Sequence, residues 1–340
     1  MHDAVREALA GREAWVVGGA VRDELLGRPG VDLDVALAEP EDAARRFARV
    51  SGGAPFPLSE RHGAWRVALD GGRTVDFTPL RGPLEDDLAT RDFTINAIAV
   101  PLGGGAPVDP FGGRDDLAAR TLRAVAETIF SDDPLRLLRA VRLEDELGFR
   151  MDERTERLLR DHTERVTAPA GERVLGELER LSERGFRRLD ELGLLRPLGG
   201  SLERLNPRVD SARYRLVSVF GDSLRRLPIS NDLRRYASAL LRAERPADAS
   251  PRSLHRFRRV TEPWADDALA FLDALDMLPE LERSRAADPP QPLLRGDELG
   301  IPAGPEIGRL LELVAEERAA GMISTRKEAL EFVRRNVKGL

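Results

Sequence analysis

The chain changes its period of hydrophobicity near residue 117, and that change restricts its fold more than any other feature. Before it, short strand signals and short helix signals alternate. AWVVGG (14–19) reads as a strand running into a glycine turn, and AVRDELLG (20–27) as a short helix. VDLDVAL (31–37) alternates as a half-buried strand should, EDAARRFARV (41–50) is helical, and WRVAL, TVDFTPL and FTINAIAV (93–100) are further strands. From about Leu117 onward nearly everything is helical, punctuated by Pro and Gly at 169–171, 197–200, 246–251, 289–292 and 302–305. The expected fold class is α+β, with a small mixed head followed by a long all-α remainder.

Composition removes several chemistries. None of the 340 residues is cysteine, which excludes a disulfide framework, thiolate metal sites and a cysteine nucleophile. The four histidines (His2, His62, His162 and His255) are widely separated, so a histidine metal cage is not expected. No apolar run approaches the roughly 20 residues that span a bilayer, and MHDAVREALAGRE lacks the apolar core of a signal peptide. A cytoplasmic protein without a membrane partner is the expectation. Formal charge is −6, yet residues 201–260 carry 14 arginines against 6 acidic residues. A basic block of that kind suggests a polyanion contact, although a solvated helix face would look the same.

The strongest local signal is Asp32-Leu33-Asp34. Residues i and i+2 of a strand share a face, so both carboxylates point one way and Leu33 and Val35 the other. Paired carboxylates repel unless a cation lies between them, and oxygen-only ligation selects Mg²⁺. Exposed acids on an edge strand give the same pattern, but here Gly18-Gly19 stands upstream between a strand and a helix. Glycines there admit a close backbone approach, and free N–H groups at a helix start favour phosphate. Arg22, one turn in, is placed to reach a triphosphate, with Asp23 to hold it. Asp76 in TVDFTPLR is either a third carboxylate or an ordinary strand-end acid.

Two further segments carry candidate residues. Arg91-Asp92-Phe93-Thr94-Ile95-Asn96 reads equally as a structural ion pair or as Arg91 on a nucleotide, with Asn96 fixing the local backbone. In DDPLRLLRAVR (132–142), Leu137, Leu138 and Val141 share one arc of a helix, while Asp133, Arg136, Arg139 and Arg142 spread over the other. Asp133 and Arg136, one turn apart, have the spacing of a surface ion pair. A carboxylate beside a guanidinium also reads a base edge, accepting from an exocyclic amine and donating to the adjacent ring acceptor. Cytosine and adenine match that pattern, whereas uracil and guanine set a carbonyl against the carboxylate. Arg139 and Arg142 then suit phosphates, or packing against that pair.

GGAVRDELLG, the Asp32/Asp34 pair, RDFTINAIAV, DPFGGRDDL (109–117) and DDPLRLLRAVR stand in the order seen in class II tRNA nucleotidyltransferases. The chain thus resembles the bacterial and eukaryotic CCA-adding and poly(A) polymerase superfamily. ERVLGELERL (172–181) looks like that family's neck helix, and LLRGDELGIPAGPEIGRLLELV (293–314) resembles its tail. The resemblance implies a polymerase β-like palm head at 1–127, neck helices with a nucleotide template at 128–182, a helical body at 183–270 and a tRNA-binding tail at 271–340. It implies Asp32 and Asp34 as the magnesium ligands, with Asp76 kept from the strand pattern as the candidate third catalytic carboxylate. Gly18, Gly19, Arg22 and Arg91 would contact the nucleotide, Asp133 and Arg136 would template CTP and ATP, and Arg139 and Arg142 would add further contacts. The partners it implies are tRNA, CTP and possibly ATP.

Two departures bear on the reaction. Thr90 stands where the family usually has a second arginine before Asp92. Only nine residues, GPLEDDLAT, separate Arg81 from Arg91, where many members carry a flexible loop. A short connection resembles members that add two cytidines and stop, leaving the terminal adenosine to another enzyme. The rival readings are a complete CCA-adding enzyme, a poly(A) polymerase and a non-catalytic RNA-binding protein that keeps the fold. No HD phosphohydrolase pattern is present, since Asp161-His162 has the order reversed.

Overall fold

A computed structural model describes residues 1–28, 32–59, 63–287 and 291–337, which leaves 29–31, 60–62, 288–290 and 338–340, with Val31 and His62 among them, outside the described residues. The chain separates into two compact units, Met1–Leu198 and Gly199–Leu340.

The first unit opens with helix α1 (His2–Ala8), strand β1 (Ala14–Val17), helix α2 (Gly19–Leu25), strand β2 (Asp32–Leu37) and helix α3 (Pro40–Ser51). Strands β3 (Ala54–Ser59), β4 (Ala64–Ala68) and β5 (Thr74–Pro79) follow, then helix α4 (Leu84–Ala89) and strand β6 (Ala99–Pro101). The sheet order is β3-β4-β5-β2-β1-β6. β2 and β5 are parallel, while the other pairs are antiparallel, so the sheet is mixed.

Period-2 alternation gives the sheet two faces. Leu33, Val35 and Leu37 on β2, with Val75 and Phe77 on β5, are buried, and the Phe77 ring lies 5.9 Å from Phe47 of α3. On the opposite face, Val17 and Ala36 join Leu84 and Leu88 of α4 and Ala97 and Ala99 in a second cluster. Asp32 and Asp34 belong to this second face, on the same side as Ala36 but toward the strand's start. The carboxylates therefore sit at the end of an apolar surface that α4 covers.

Two expectations need correction here. FTINAIAV is not one strand: Thr94–Asn96 forms a 3-10 turn, and only Ala99–Pro101 pairs in the sheet. The turn buries Thr94 and Asn96, whose polar groups take side-chain partners that a ladder would not offer. β3 has no counterpart among the strand signals above; it carries Pro55 and Pro57, which the edge of the sheet tolerates.

Beyond the sheet come α5 (Gly113–Ala118), the short strand β7 (Thr121–Leu122), α6 (Ile129–Asp132), α7 (Leu135–Leu147) and the short strand β8 (Arg150–Met151). β7 and β8 pair in parallel, a small exception to an all-helical remainder. Helices α8 (Glu153–Arg160), α9 (Gly171–Leu178) and α10 (Glu183–Glu191) complete the unit. α10 packs on α7: Ser182 and Arg184 bond Asp145, and Arg188 bonds Glu144. Those contacts lie within the first compact unit, which runs to Leu198.

The second unit is helical throughout its described residues: α11 (Ala212–Phe220), α12 (Asn231–Arg242), α13 (Pro251–Thr261), α14 (Ala265–Phe271), α15 (Leu278–Ala286), α16 (Pro305–Ala319) and α17 (Arg326–Asn336). Leu294, Leu310, Val314, Ile323, Ala329 and Val333 form its C-terminal core. The basic block folds into this unit, and acids outside it take up many of its arginines. Asp276 pairs with Arg245, Glu317 with Arg252, Glu316 with Arg256, and Glu312 with Arg259. Arg213 lies 4.5 Å above the Tyr236 ring. The local excess of positive charge is thus partly neutralised within the unit.

Candidate active site

The backbone places three carboxylates on adjacent positions. Asp34 of β2 is the register partner of Asp76 on β5, and Asp32 lies two residues before it on the same face. Thr74 donates to Asp32 at 2.8 Å, and Arg66 of β4 forks onto Asp76 at 2.6 and 2.7 Å. Burial pushes the Asp34 carboxyl up to about 6, with Asp76 and Asp32 adding to the rise and Arg91 and Arg66 opposing it. Arg66 was not singled out in the sequence. The signal was available, since WRVAL and TVDFTPL are adjacent strands whose antiparallel register sets Arg66 opposite Asp76.

Gly18 caps α2 with φ of +71°, and a Cβ there would stand 3.2 Å from Asp34 Oδ2 and 3.3 Å from Arg91 Nη1. The positive φ favours glycine at this position, and a side chain would press on both groups. Gly19 begins α2, and Arg22 of that helix lies folded back toward it. Arg22 holds Asp23 through two donors and gives a third to Asn96 Oδ1 at 2.8 Å. The structure therefore brings Asp32, Asp34, Asp76, Gly18, Gly19, Arg22 and Arg91 into one neighbourhood.

Arg91 bonds Asp87 of α4 at 2.9 Å. Asp92 turns inward, accepting from the Phe93 N–H, Asn96 Nδ2 and Arg139. The DPFGGRDDL segment supports this turn from behind. Asp116 accepts from Thr94 Oγ1 at 2.7 Å and from Arg123, while Asp109 caps the Gly113 and Arg114 N–H groups. A Cβ on Gly113 would collide with the Thr94 carbonyl at 2.2 Å.

At the start of α7 the expected pair does not form. Asp133 is paired with Arg173 of α9, at 2.7 and 3.3 Å, and accepts from the Leu135 N–H. Arg136 instead donates to the carbonyls of Thr90, at 2.7 Å, and Ile129. Asp133 lies just outside the helix in an extended conformation, so helical spacing did not describe it. The polar half expected of α7 is also largely covered. Arg142 and Glu144 are buried, and both Arg139 and Arg142 bond Glu177 of α9. Arg142 also holds Glu146, whereas Arg139 reaches Asp92.

Adjacent carboxylates at the end of a mixed sheet, beside a glycine turn and arginines, form the candidate site of the head. Comparison with known proteins specifies the class. Residues 14–83 and 80–123 match the Poly A polymerase head domain. The A-adding tRNA nucleotidyltransferase of Deinococcus radiodurans is 34% identical, with 95% of each chain covered. The CC-adding tRNA nucleotidyltransferase of Thermus thermophilus is 32% identical over 95% of this chain and 93% of that protein. A crystal structure of the Bacillus stearothermophilus CCA-adding enzyme in complex with CTP superposes with a TM-score of 0.76, at 27% identity, covering 98% of this chain and 96% of that one. The chain belongs to the class II tRNA nucleotidyltransferase and poly(A) polymerase family. Among its described residues no helix is long and apolar enough to cross a membrane.

Proposed function

We propose that this protein transfers CMP from CTP to the 3′ end of tRNA, adding two cytidines and then stopping. Nucleotidyl transfer to tRNA follows the curated relatives, whose names agree on tRNA and differ on the nucleotide. The observation that carries the narrower reading is the connection between Arg81 and Arg91. It is not a loop: six of its nine residues form α4, and Leu84 and Leu88 are buried against the sheet. A pocket that accepts cytosine and then the larger adenine needs an element that moves, and this one is packed. The Asp109–Asp116 segment is held by its own bonds to Gly113, Arg114, Thr94 and Arg123.

In this reading the tRNA 3′-hydroxyl attacks the α-phosphate of CTP and pyrophosphate leaves. Asp32 and Asp34 fit a divalent cation, because Asp34 is a partly buried carboxylate between two others. Among the described residues no set of three or more His, Asp or Glu is arranged to hold a metal. Two carboxylates with phosphate oxygens and water completing the shell is the usual arrangement for Mg²⁺. Bound there, Mg²⁺ would supply charge stabilisation at the attacking and leaving oxygens. Gly18 admits the triphosphate close to the backbone, and Arg22 and Arg91 neutralise it. Arg66 keeps Asp76 oriented beside Asp34. Asp133 accepts from the cytosine amine while Arg136 donates to the ring acceptor, and Arg139, anchored through Asp92, adds positive charge nearby. Arg142, buried on Glu177, holds α7 against α9. Positioning and charge stabilisation supply most of the rate.

The deciding experiment incubates the protein with CTP and ATP on a tRNA that ends at the discriminator base, and resolves products on a denaturing gel. Extension by two nucleotides is expected. Extension by three overturns the CC reading in favour of complete CCA synthesis, and a single adenosine added only to a tRNA ending in CC makes it an A-adding enzyme. Long adenosine tails would make it a poly(A) polymerase.

A further inference from the structure

The Arg173–Asp133 pair joins the start of α9 to the residue just before α7. Arg173 is half exposed, and an ion pair that open contributes little to stability. Its geometry is nevertheless specific. The guanidinium meets both oxygens of Asp133, Nη2 on Oδ2 and Nη1 on Oδ1, while the Leu135 N–H takes a further position on Oδ1. A carboxylate offers about four acceptor positions. Three are occupied here, and the fourth lies on Oδ2. Four residues further along α9, on the same helical face, Glu177 holds Arg139 and Arg142 of α7. The fork on Asp133 is therefore anchored to the helix it serves.

We propose that Arg173 is a specificity-determining positioning residue of the nucleotide site. By forking onto Asp133 it leaves that carboxylate a single open acceptor position, which one N–H of an exocyclic base amine fills and a base carbonyl cannot. The inference rests on the reading of Asp133 as the residue that meets the base. Two observations agree with it. Burial favours a neutral Asp133, but Arg173 and the Leu135 N–H outweigh burial and hold the carboxyl below its usual range. The group is acceptor-only at neutral pH, as an aspartate ordinarily is, and that is the state that repels the O4 carbonyl of uracil. Arg136, by contrast, spends two donors on backbone carbonyls and forms no fork with Asp133.

The test is single-turnover incorporation of CTP and of UTP, offered separately, on a tRNA lacking its CCA end. It is run with the wild type and with Arg173→Ala, Arg173→Lys and Asp133→Ala. The C-to-U rate ratio is expected to fall tenfold or more in Arg173→Ala. In Arg173→Lys, which keeps the charge but not the fork, a fall of about threefold is expected. A purely structural role would lower melting temperature and both rates together, leaving the ratio unchanged. A ratio within twofold of wild type in Arg173→Ala overturns the proposal, and so does an unchanged ratio in Arg173→Lys should the alanine variant fail to fold. Asp133→Ala separates the two layers of the argument. If it too keeps the ratio, the reading of Asp133 itself fails; if it alone loses the ratio, only the role of Arg173 is lost.

Discussion

Asp34 and Asp76 are register partners on parallel strands, and Arg66 holds Asp76 through two hydrogen bonds, leaving Asp34 the partly buried carboxylate between two others. Without a bound cation this arrangement carries a cost that depends on pH. Below about pH 4, Asp34 is neutral in folded and unfolded chains alike. Its folded value is raised to about 6, so between these limits the folded state binds the extra proton and stability falls as pH rises. Asp34→Asn is expected to stabilise the metal-free protein above pH 6, on the order of 1–3 kcal/mol, and to change little at pH 4. Thermal melts at both pH values check this. Mg²⁺ should raise the wild-type melting temperature at pH 7.5 and leave that of Asp34→Asn unmoved.

Asp32→Ala and Asp34→Ala are each expected to abolish transfer, by a thousandfold or more, with an unchanged circular dichroism spectrum. One carboxylate cannot hold the cations that an in-line displacement requires. Turnover within about tenfold of wild type would sink the assignment of both residues.

Gly18→Ala puts a methyl group against Asp34 and Arg91 at a backbone conformation that alanine resists. A loss of at least tenfold in kcat/KM is expected, with kcat affected as well as KM, since the shift displaces Asp34, the carboxylate proposed to hold the cation. Gly27→Ala, also at positive φ but with open space around its Cβ, is the control for backbone strain alone. It should remain active.

Replacing Asp133 or Arg136 by alanine should lower selectivity for CTP over UTP ten- to a hundredfold, since a charge-assisted hydrogen bond is worth on the order of 1.5–3 kcal/mol. Competition between the two nucleotides measures it. Full selectivity in both variants would make these residues structural.

Glu177→Ala leaves the buried Arg142 without its partner on α9. Breaking a buried pair from one side costs roughly 3–5 kcal/mol, so a large fall in the urea midpoint is expected. Glu177→Gln keeps one acceptor and should lose less. Equal stability of all three proteins would mean that Glu146 by itself satisfies Arg142.

Much of the candidate site's geometry was legible in the sequence because it depends on short spacings. Strand alternation aligns Asp32 with Asp34 whatever surrounds them, and the glycine turn at Gly18 is local. Period and punctuation likewise divide the sheet from the helices near residue 117. Tertiary structure decided what distance in sequence conceals. Asp133 and Arg136 are three residues apart, yet the carboxylate turns to Arg173, 40 residues away, because it lies before the helix in extended backbone. Arg139 and Arg142 read as phosphate contacts or as packing against Asp133 and Arg136, and only the packed α9 supplies Glu177 to both. FTINAIAV has the apolar content of a strand, but buried Thr94 and Asn96 find their partners in Asp116 and Asp92, and satisfying those polar groups bends the segment into a turn. Local pattern determines which face a side chain takes; which charge meets it there is set only when distant helices pack.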